Sequence, residues 1–380
     1  MLRFSWWLWW PAHWRVSTIG GASSEKNTFG GLGLVRVDRL TPLSEADLGE
    51  TDRICDEWFP VARATDVVPG QWLPFELLDE RWVLACDHSG RVEAFVDTCP
   101  HRGAQITLGD FDGERLRCGY HGWQFDIDGH CVHQPAHPRR RPPAGVRLKR
   151  ASVRAGYGFW WICSGDRPRD LPVAPDHAAH PDLTVWLDPV TVESSGPRII
   201  ENFLDVAHFP FVHEGYLGQE PYTEVARYGV VAHDHELRLT DCVFWQPDPG
   251  PAAAGGGPVR YQYSVSHPYA ATLTKVPSTE GGDLAGGFTI LIVASPVTET
   301  KCVVWRSTVV HDSGADLDAQ RAFNELIFSQ DIGVVESQRP RRLPVDPRME
   351  AHQPADAGSL AYRRWLSARG VRYGTISAER

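Results

Sequence analysis

Apolar and polar positions change places in short runs through the first half of the chain. Residues 72–78, 82–86 and 92–96 are β-rich, and Asp112-Gly113 and Asp128-Gly129 punctuate what lies beyond them. Short strand-like runs separated by Asp-Gly pairs predict antiparallel hairpins. The run Gly158-Phe-Trp-Trp-Ile-Cys163 reads as a buried strand, and the Pro- and Asp-rich stretch 166–181 as a linker. After it, strands are expected at 184–186 and 190–192, and a helical segment near 198–212. Four β-rich stretches follow at 225–245, 259–275, 288–297 and 302–310, parted by Gly/Pro/Ala loops at 250–258 and 281–287. Consecutive strands of that kind predict an antiparallel meander. From about 315 to 336 the period lengthens to that of a helix, with Phe323, Leu326, Ile327, Val334 and Val335 as its apolar stripe.

The expected organisation is α+β: a leader or N-terminal extension over 1–56, an antiparallel β domain over 57–165, and a second domain over 180–375. The leader begins with five tryptophans in fourteen residues, and Pro11 interrupts its apolar run. That run is far short of the roughly 20 residues that span a bilayer. We read it first as a poorly ordered or mis-started segment, then as an interfacial patch, then as a secretory signal.

Composition narrows the function. With 42% hydrophobic and 23% charged residues the 380-residue chain is globular. Its 48 acidic against 38 basic residues argue against a nucleic-acid or anionic-membrane binder. Eight cysteines in 380 residues are too few for a disulfide framework and point to a reducing compartment, the cytoplasm by default. Gly30-Gly31-Leu32-Gly33 lacks the spacing of a dinucleotide fingerprint. Trp160, Trp161, Tyr261, Tyr263 and Tyr269 alternate as core strand residues do.

Two constellations carry metal chemistry. Cys99-Pro-His101 and Cys118-Gly-Tyr-His121, sixteen residues apart, put one Cys and one His on each of two hairpin-like tips. Such a set suits a structural Cys₂His₂ zinc or a [2Fe–2S] centre with thiolates on one iron and imidazoles on the other. Further along, Asn202, Asp205 and His208 lie at three-residue steps, on one face of a helix. His213 is five residues beyond His208, and a kink at the intervening Pro210 would bring both imidazoles to one point. Asp331, four residues after Ile327 and three before Val334, puts a carboxylate in the apolar stripe, where it must be paired or metal-bound. His208, His213 and Asp331 together make a two-His, one-carboxylate set of the non-haem Fe(II) type.

Cys99-Pro-His-Arg-Gly103 and Cys118-Gly-Tyr-His-Gly-Trp123 resemble the cluster loops of the Rieske non-haem iron oxygenases over residues 58–163. Asn202, Asp205, His208, His213 and Asp331-Ile-Gly-Val-Val-Glu-Ser-Gln338 resemble that family's catalytic motif. The loops around both motifs, with Tyr362-Arg-Arg-Trp-Leu366, are more similar to the monooxygenase and O-demethylase branch, that of vanillate demethylase and pheophorbide oxygenase, than to two-subunit arene dioxygenases.

The resemblance implies an antiparallel β Rieske domain followed by a helix-grip (START-like) catalytic domain. It implies a [2Fe–2S] cluster at Cys99, His101, Cys118 and His121, a mononuclear Fe(II) at His208, His213 and Asp331, and O₂ as co-substrate. Electrons would come from NAD(P)H through a separate flavin reductase, with or without a ferredoxin. It further implies catalytic roles for Asn202 and Asp205, the latter as a carboxylate bridging to a cluster His of the next subunit in a homotrimer. The expected activity is hydroxylation or oxidative demethylation of an aromatic or polycyclic hydrophobic molecule. The alternatives are cis-dihydroxylation, a pure electron carrier, and a hydrophobic-ligand binding module. The one dense basic cluster, Arg139, Arg140, Arg141, Arg147, Lys149 and Arg150, is either a docking patch for an acidic ferredoxin or a solvated loop.

Overall fold

The computed structural model describes residues 54–249, 255–276, 287–312 and 314–377. The tryptophan-rich leader lies outside the described residues apart from its last three positions.

Hairpin pairing dominates the first hundred described residues. β1 (Phe59–Arg63), β2 (Trp72–Leu77), β3 (Glu80–Cys86) and β4 (Val92–Val96) join β9 (Arg150–Gly156) and β10 (Phe159–Cys163) in an antiparallel sheet of order β1-β10-β9-β4-β3-β2. Between β4 and β9 a second, smaller sheet forms from β5 (Asp110–Phe111), β6 (Arg115–Arg117), β7 (Gln124–Asp126) and β8 (Cys131–His133). The expected Asp-Gly turns close its β5–β6 and β7–β8 hairpins. Ile106, Leu116, Phe125 and Leu148 form a small core beneath it together with Cys99 and Cys118. The β2–β3 turn, Leu78-Asp79, has positive φ at both residues. Tight hairpin turns favour that geometry but non-Gly side chains resist it. Here the turn is held from outside: Leu78 and Asp79 donate their N–H groups to Pro296 and Val297 carbonyls at 2.8 Å, tying this sheet to the next.

The second half is an eight-stranded antiparallel sheet. Its members are β11 (Thr184–Trp186), β12 (Val190–Val192), β13 (Gly229–Ala232), β14 (Leu237–Gln246), β15 (Gly257–His267), β16 (Ala270–Val276), β17 (Phe288–Thr298) and β18 (Lys301–Val310). The order β11-β18-β17-β16-β15-β14-β13, with β12 also on β18, is the expected meander. Two of the anticipated long stretches are each a pair of strands. A turn at 233–236, where His233 N–H and C=O both bond Glu236, splits the first, and Pro268-Tyr269 splits the second. Against this sheet pack α2 (Gly196–Leu204), α4 (Leu317–Ser337) and α5 (Ala357–Ala368); α1 (Pro175–Ala179) and α3 (Phe209–Val212) are single turns. One apolar core runs from Phe59 and Leu84 through Ile200 and Tyr263 to Val335 and Leu366. No helix among the described residues is long and apolar enough to cross a membrane.

The helices depart from expectation in two places. On α4 the buried residues are Asn324, Phe328, Asp331 and Val335, while Leu326 and Val334 are exposed. The inward face is thus half polar, so hydrophobicity alone pointed one position away from it. The anticipated single helix over 198–212 is broken at Asp205, whose backbone is extended. Pro210 is not the breaker: it sits in the first turn of α3, where its missing N–H costs nothing.

Candidate metal centres

The two Cys/His tips are built alike. In each, the Cys N–H donates to the carbonyl five residues on, Cys99 to Ala104 at 2.7 Å and Cys118 to Trp123 at 2.9 Å. In each, a glycine four residues on donates back to the Cys carbonyl, Gly103 at 2.9 Å and Gly122 at 3.0 Å. Both glycines have positive φ, 73° and 66°, a conformation that side chains resist. The first tip is anchored by buried Asp97, which accepts from Thr107 N–H at 2.9 Å, Thr107 Oγ1 at 2.6 Å and Gln105 Nε2 at 3.2 Å.

The tips come together. Cys99 and Cys118 are both buried and interact, and the His101 and His121 rings lie 4.5 Å apart. Burial pushes the Cys99 thiol up to about 11, so without a metal it stays protonated at neutral pH; bound metal is what converts such a group to thiolate. His101 Nδ1 is buried with no hydrogen-bond partner among the described residues, as fits a nitrogen that gives its lone pair to a metal. Trp123 stacks on His101 at 4.2 Å with the planes 6° apart. Among the described residues, one group of three or more potential ligands gathers within 4.8 Å, and it is not this one. Four ligands of a single tetrahedral zinc would converge more closely than that; two irons sharing the set need not.

The converging group is His208, His213 and Asp331. Because α2 ends at Leu204, Asn202, Asp205 and His208 do not share a helix face. Instead His208 and His213 flank the single turn α3, which brings their Nε2 atoms to 3.2 Å. Asp331 reaches in from α4 with Oδ1 3.5 Å from His208 Nε2 and 3.3 Å from His213 Nε2. His208 Nδ1 faces Asp205 Oδ2 at 3.3 Å, and Asp205 Oδ1 accepts from Ala207 N–H at 2.8 Å. His213 Nδ1 lies 2.8 Å from Gln330 Oε1. Since those oxygens accept, each Nδ1 carries a proton, which leaves each Nε2 as the nitrogen that would give its lone pair to a metal in the shared space. Asn202 Nδ2 donates to Asp331 Oδ1 at 3.3 Å. Sequence reasoning missed Gln330; its one signal was adjacency to Asp331.

Electrostatics agree with a cation site. Burial disfavours charged His208, but the Asp205 and Asp331 carboxylates outweigh it and push its pKa up to about 9. Burial likewise opposes ionised Asp331, yet His208 and His213 hold it down at about 2. The protein therefore keeps a carboxylate and an imidazolium where a divalent metal would take the proton's place.

A cavity of about 80 Å³ adjoins these ligands, walled by Phe203, Phe209, Leu273, Ile290, Phe323 and Phe328, with Asn202 and Asn324 as polar members.

Residues 57–151 match the family model of the Rieske [2Fe–2S] domain, and residues 192–371 that of the vanillate O-demethylase oxygenase C-terminal domain. The chain is 38% identical over 224 residues, 58% of its length and 77% of the relative's, to a probable methylxanthine N7-demethylase of Pseudomonas sp. (strain TJI-51). It is 30% identical over 321 residues, 81% and 87% of the two lengths, to the methylxanthine N1-demethylase NdmA of Pseudomonas putida. The solved structure of NdmA with caffeine superposes with a TM-score of 0.71 at 26% identity, covering 86% of this chain and 96% of that one. The chain belongs to the Rieske non-haem iron oxygenases: it is the oxygenase component of an enzyme that uses a Rieske [2Fe–2S] cluster and a mononuclear iron, with NAD(P)H-derived electrons supplied by an electron-transfer partner.

Proposed function

We propose that Cys99, His101, Cys118 and His121 hold the [2Fe–2S] cluster and that His208, His213 and Asp331 hold the mononuclear iron, with residues 57–165 and 180–375 as the two domains. The enzyme hydroxylates or oxidatively demethylates a small, largely apolar ring compound. The observation that carries this reading is the approach of two Nε2 atoms and one carboxylate oxygen to within 3.5 Å beside an apolar cavity. When bound, the iron supplies O₂ activation and the cluster supplies single electrons.

The chain's own residues do the rest. Asp205 and Gln330 hold the Nδ1 protons of His208 and His213, which fixes both rings. Asn202 orients Asp331 through its Oδ1. Phe203, Phe323 and Phe328 keep water from the reacting end of the substrate.

His121 is exposed at the tip, and the Asp205 side chain is one-third exposed. Both groups can therefore meet a neighbouring subunit, as a bridging carboxylate in a homotrimer requires. The exposed Arg139, Arg140, Arg141, Arg147 and Lys149 follow the second tip and suit an acidic ferredoxin or a flavin reductase. Low cysteine content and the lack of a membrane-length helix among the described residues support a cytoplasmic enzyme.

The test is iron and acid-labile sulfide analysis of anaerobically purified protein, then NADH-coupled O₂ uptake with a reductase and a panel of O- and N-methyl aromatics. About three irons and two sulfides per chain with formaldehyde release is the expected result. Two irons with no O₂ uptake would leave an electron carrier, and zinc without sulfide would overturn the reading.

A further inference from the structure

The inward faces of β16 and β17 form a ladder of facing residues: Ala271 opposite Ile292, Leu273 opposite Ile290, and Lys275 opposite Phe288. Residues two apart on a strand share a face, so the ladder places an ammonium at the end of an otherwise apolar wall. Leu273, Ile290 and Ile292 line the small cavity beside the metal ligands. Lys275 lines a wider cavity of about 730 Å³. Leu217, Phe288 and Phe323 belong to the walls of both, which makes the wider space a vestibule of the smaller.

Lys275 is only 7% exposed. Among the described residues no carboxylate lies within 4.0 Å of its Nζ and no acceptor within hydrogen-bond distance; the Phe288 ring is 5.7 Å away. Burial lowers the Lys275 pKa to about 8, with Asp248 acting against this only from a distance. The other vestibule carboxylates are engaged by backbone: Asp312 accepts from Gly314 N–H, and Asp316 caps α4 by accepting from Asp318 and Ala319 N–H. An ammonium so far buried and so poorly paired costs free energy that an entering anion would offset.

We propose that Lys275 is the recognition point for a carboxylate carried on an apolar ring substrate, so that the ring enters the inner cavity with the end opposite the carboxylate toward His208, His213 and Asp331. The proposal deepens the oxygenase reading and rests on it for the identity of the cavity. It selects acids over their neutral esters, and para-substituted acids over ortho-substituted ones at the reacting end.

The test is calorimetric binding to the holoenzyme, which does not depend on turnover, with 4-methoxybenzoate, 2-methoxybenzoate and methyl 4-methoxybenzoate as probes. Wild type should bind 4-methoxybenzoate about 10- to 100-fold more tightly than its ester. Lys275→Met should erase that preference while leaving ester binding and iron and sulfide content unchanged, and Lys275→Arg should keep it. An acid preference that survives Lys275→Met, equal binding of acid and ester by wild type, or no saturable binding of either acid overturns the proposal. Failure of the oxygenase reading has a separate signature: missing iron or sulfide, or no NADH-coupled O₂ uptake with any compound.

Discussion

The two candidate metal centres solve the same problem with opposite geometry. At the cluster tips all four proposed ligands lie within 23 residues, and each tip repeats one local fold: Cys N–H to the carbonyl five on, glycine N–H back to the Cys carbonyl. At the proposed mononuclear site two ligands flank a single turn and the third arrives from α4, more than a hundred residues later. The first centre is specified by loop chemistry and the second by packing. The tips should therefore survive damage to the helices, whereas the His208–His213–Asp331 group should not.

The sharpest break is to empty one centre at a time. Asp331→Ala removes a ligand and leaves His208 and His213 without the carboxylate oxygen that lies within 3.5 Å of both. Iron should fall from about three to about two per chain, with sulfide unchanged, the Rieske EPR signal kept and product formation abolished. Cys118→Ser should do the reverse for sulfide and signal. If Asp331→Ala also lost the cluster signal, the two centres would be one cooperative unit and the contrast would fail.

The next largest effect lies in what holds α2. Glu201, one residue before Asn202, takes Arg363 Nε at 2.5 Å and Nη2 at 2.9 Å, and Glu350 closes the group by pairing with Arg363 and Arg198. Glu201, Arg198 and Arg363 are all buried. Glu201→Ala leaves two buried guanidiniums facing one carboxylate, so denaturant unfolding should show a loss of about 3–5 kcal/mol. Mononuclear iron should be lost at lower temperature than the cluster signal; equal losses would say that the tips depend on α2 after all.

Gln330→Ala is smaller. It takes away the acceptor that holds His213 Nδ1 at 2.8 Å without touching a ligand. Iron affinity or turnover should fall about 10- to 100-fold, with the cluster spectrum unchanged. A Gln330→Glu variant, which keeps the acceptor, should recover most of the loss, and a purely packing role for Gln330 would show no such recovery.

The same contrast explains what could be read from the chain. Cys99, His101, Cys118 and His121 stood out because their spacing is local, and the Asp-Gly turns and the meander followed from short-range patterning. The pattern also marks His208, His213 and Asp331, but by way of a helix that the structure does not continue past Leu204. The helix was expected to bend at Pro210, whereas it ends at Leu204, and α3 begins after Asp205. The stripe on α4 was displaced because its inward face includes Asn324 and Asp331, and hydrophobicity cannot mark a polar inward position. Gln330 and Lys275 stayed hidden for the same reason: each matters through what faces it across the fold, and no local pattern records that.

The smallest effect compares the two tips with each other. Gly103 and Gly122 sit at equivalent positions with φ of 73° and 66°, so an alanine at either adopts a strained left-handed backbone costing about 1 kcal/mol. Their surroundings differ. A Cβ on Gly103 meets nothing among the described residues within 4 Å, whereas one on Gly122 would lie 3.1 Å from Pro135 Cγ, tight enough that the chain after β8 has to give way. Gly103→Ala should therefore lower the thermal midpoint for loss of the cluster's visible absorption slightly, and Gly122→Ala by more. Equal shifts would mean that the loop carrying Pro135 yields freely, and that the tips are alike in their environment as well as in their backbone.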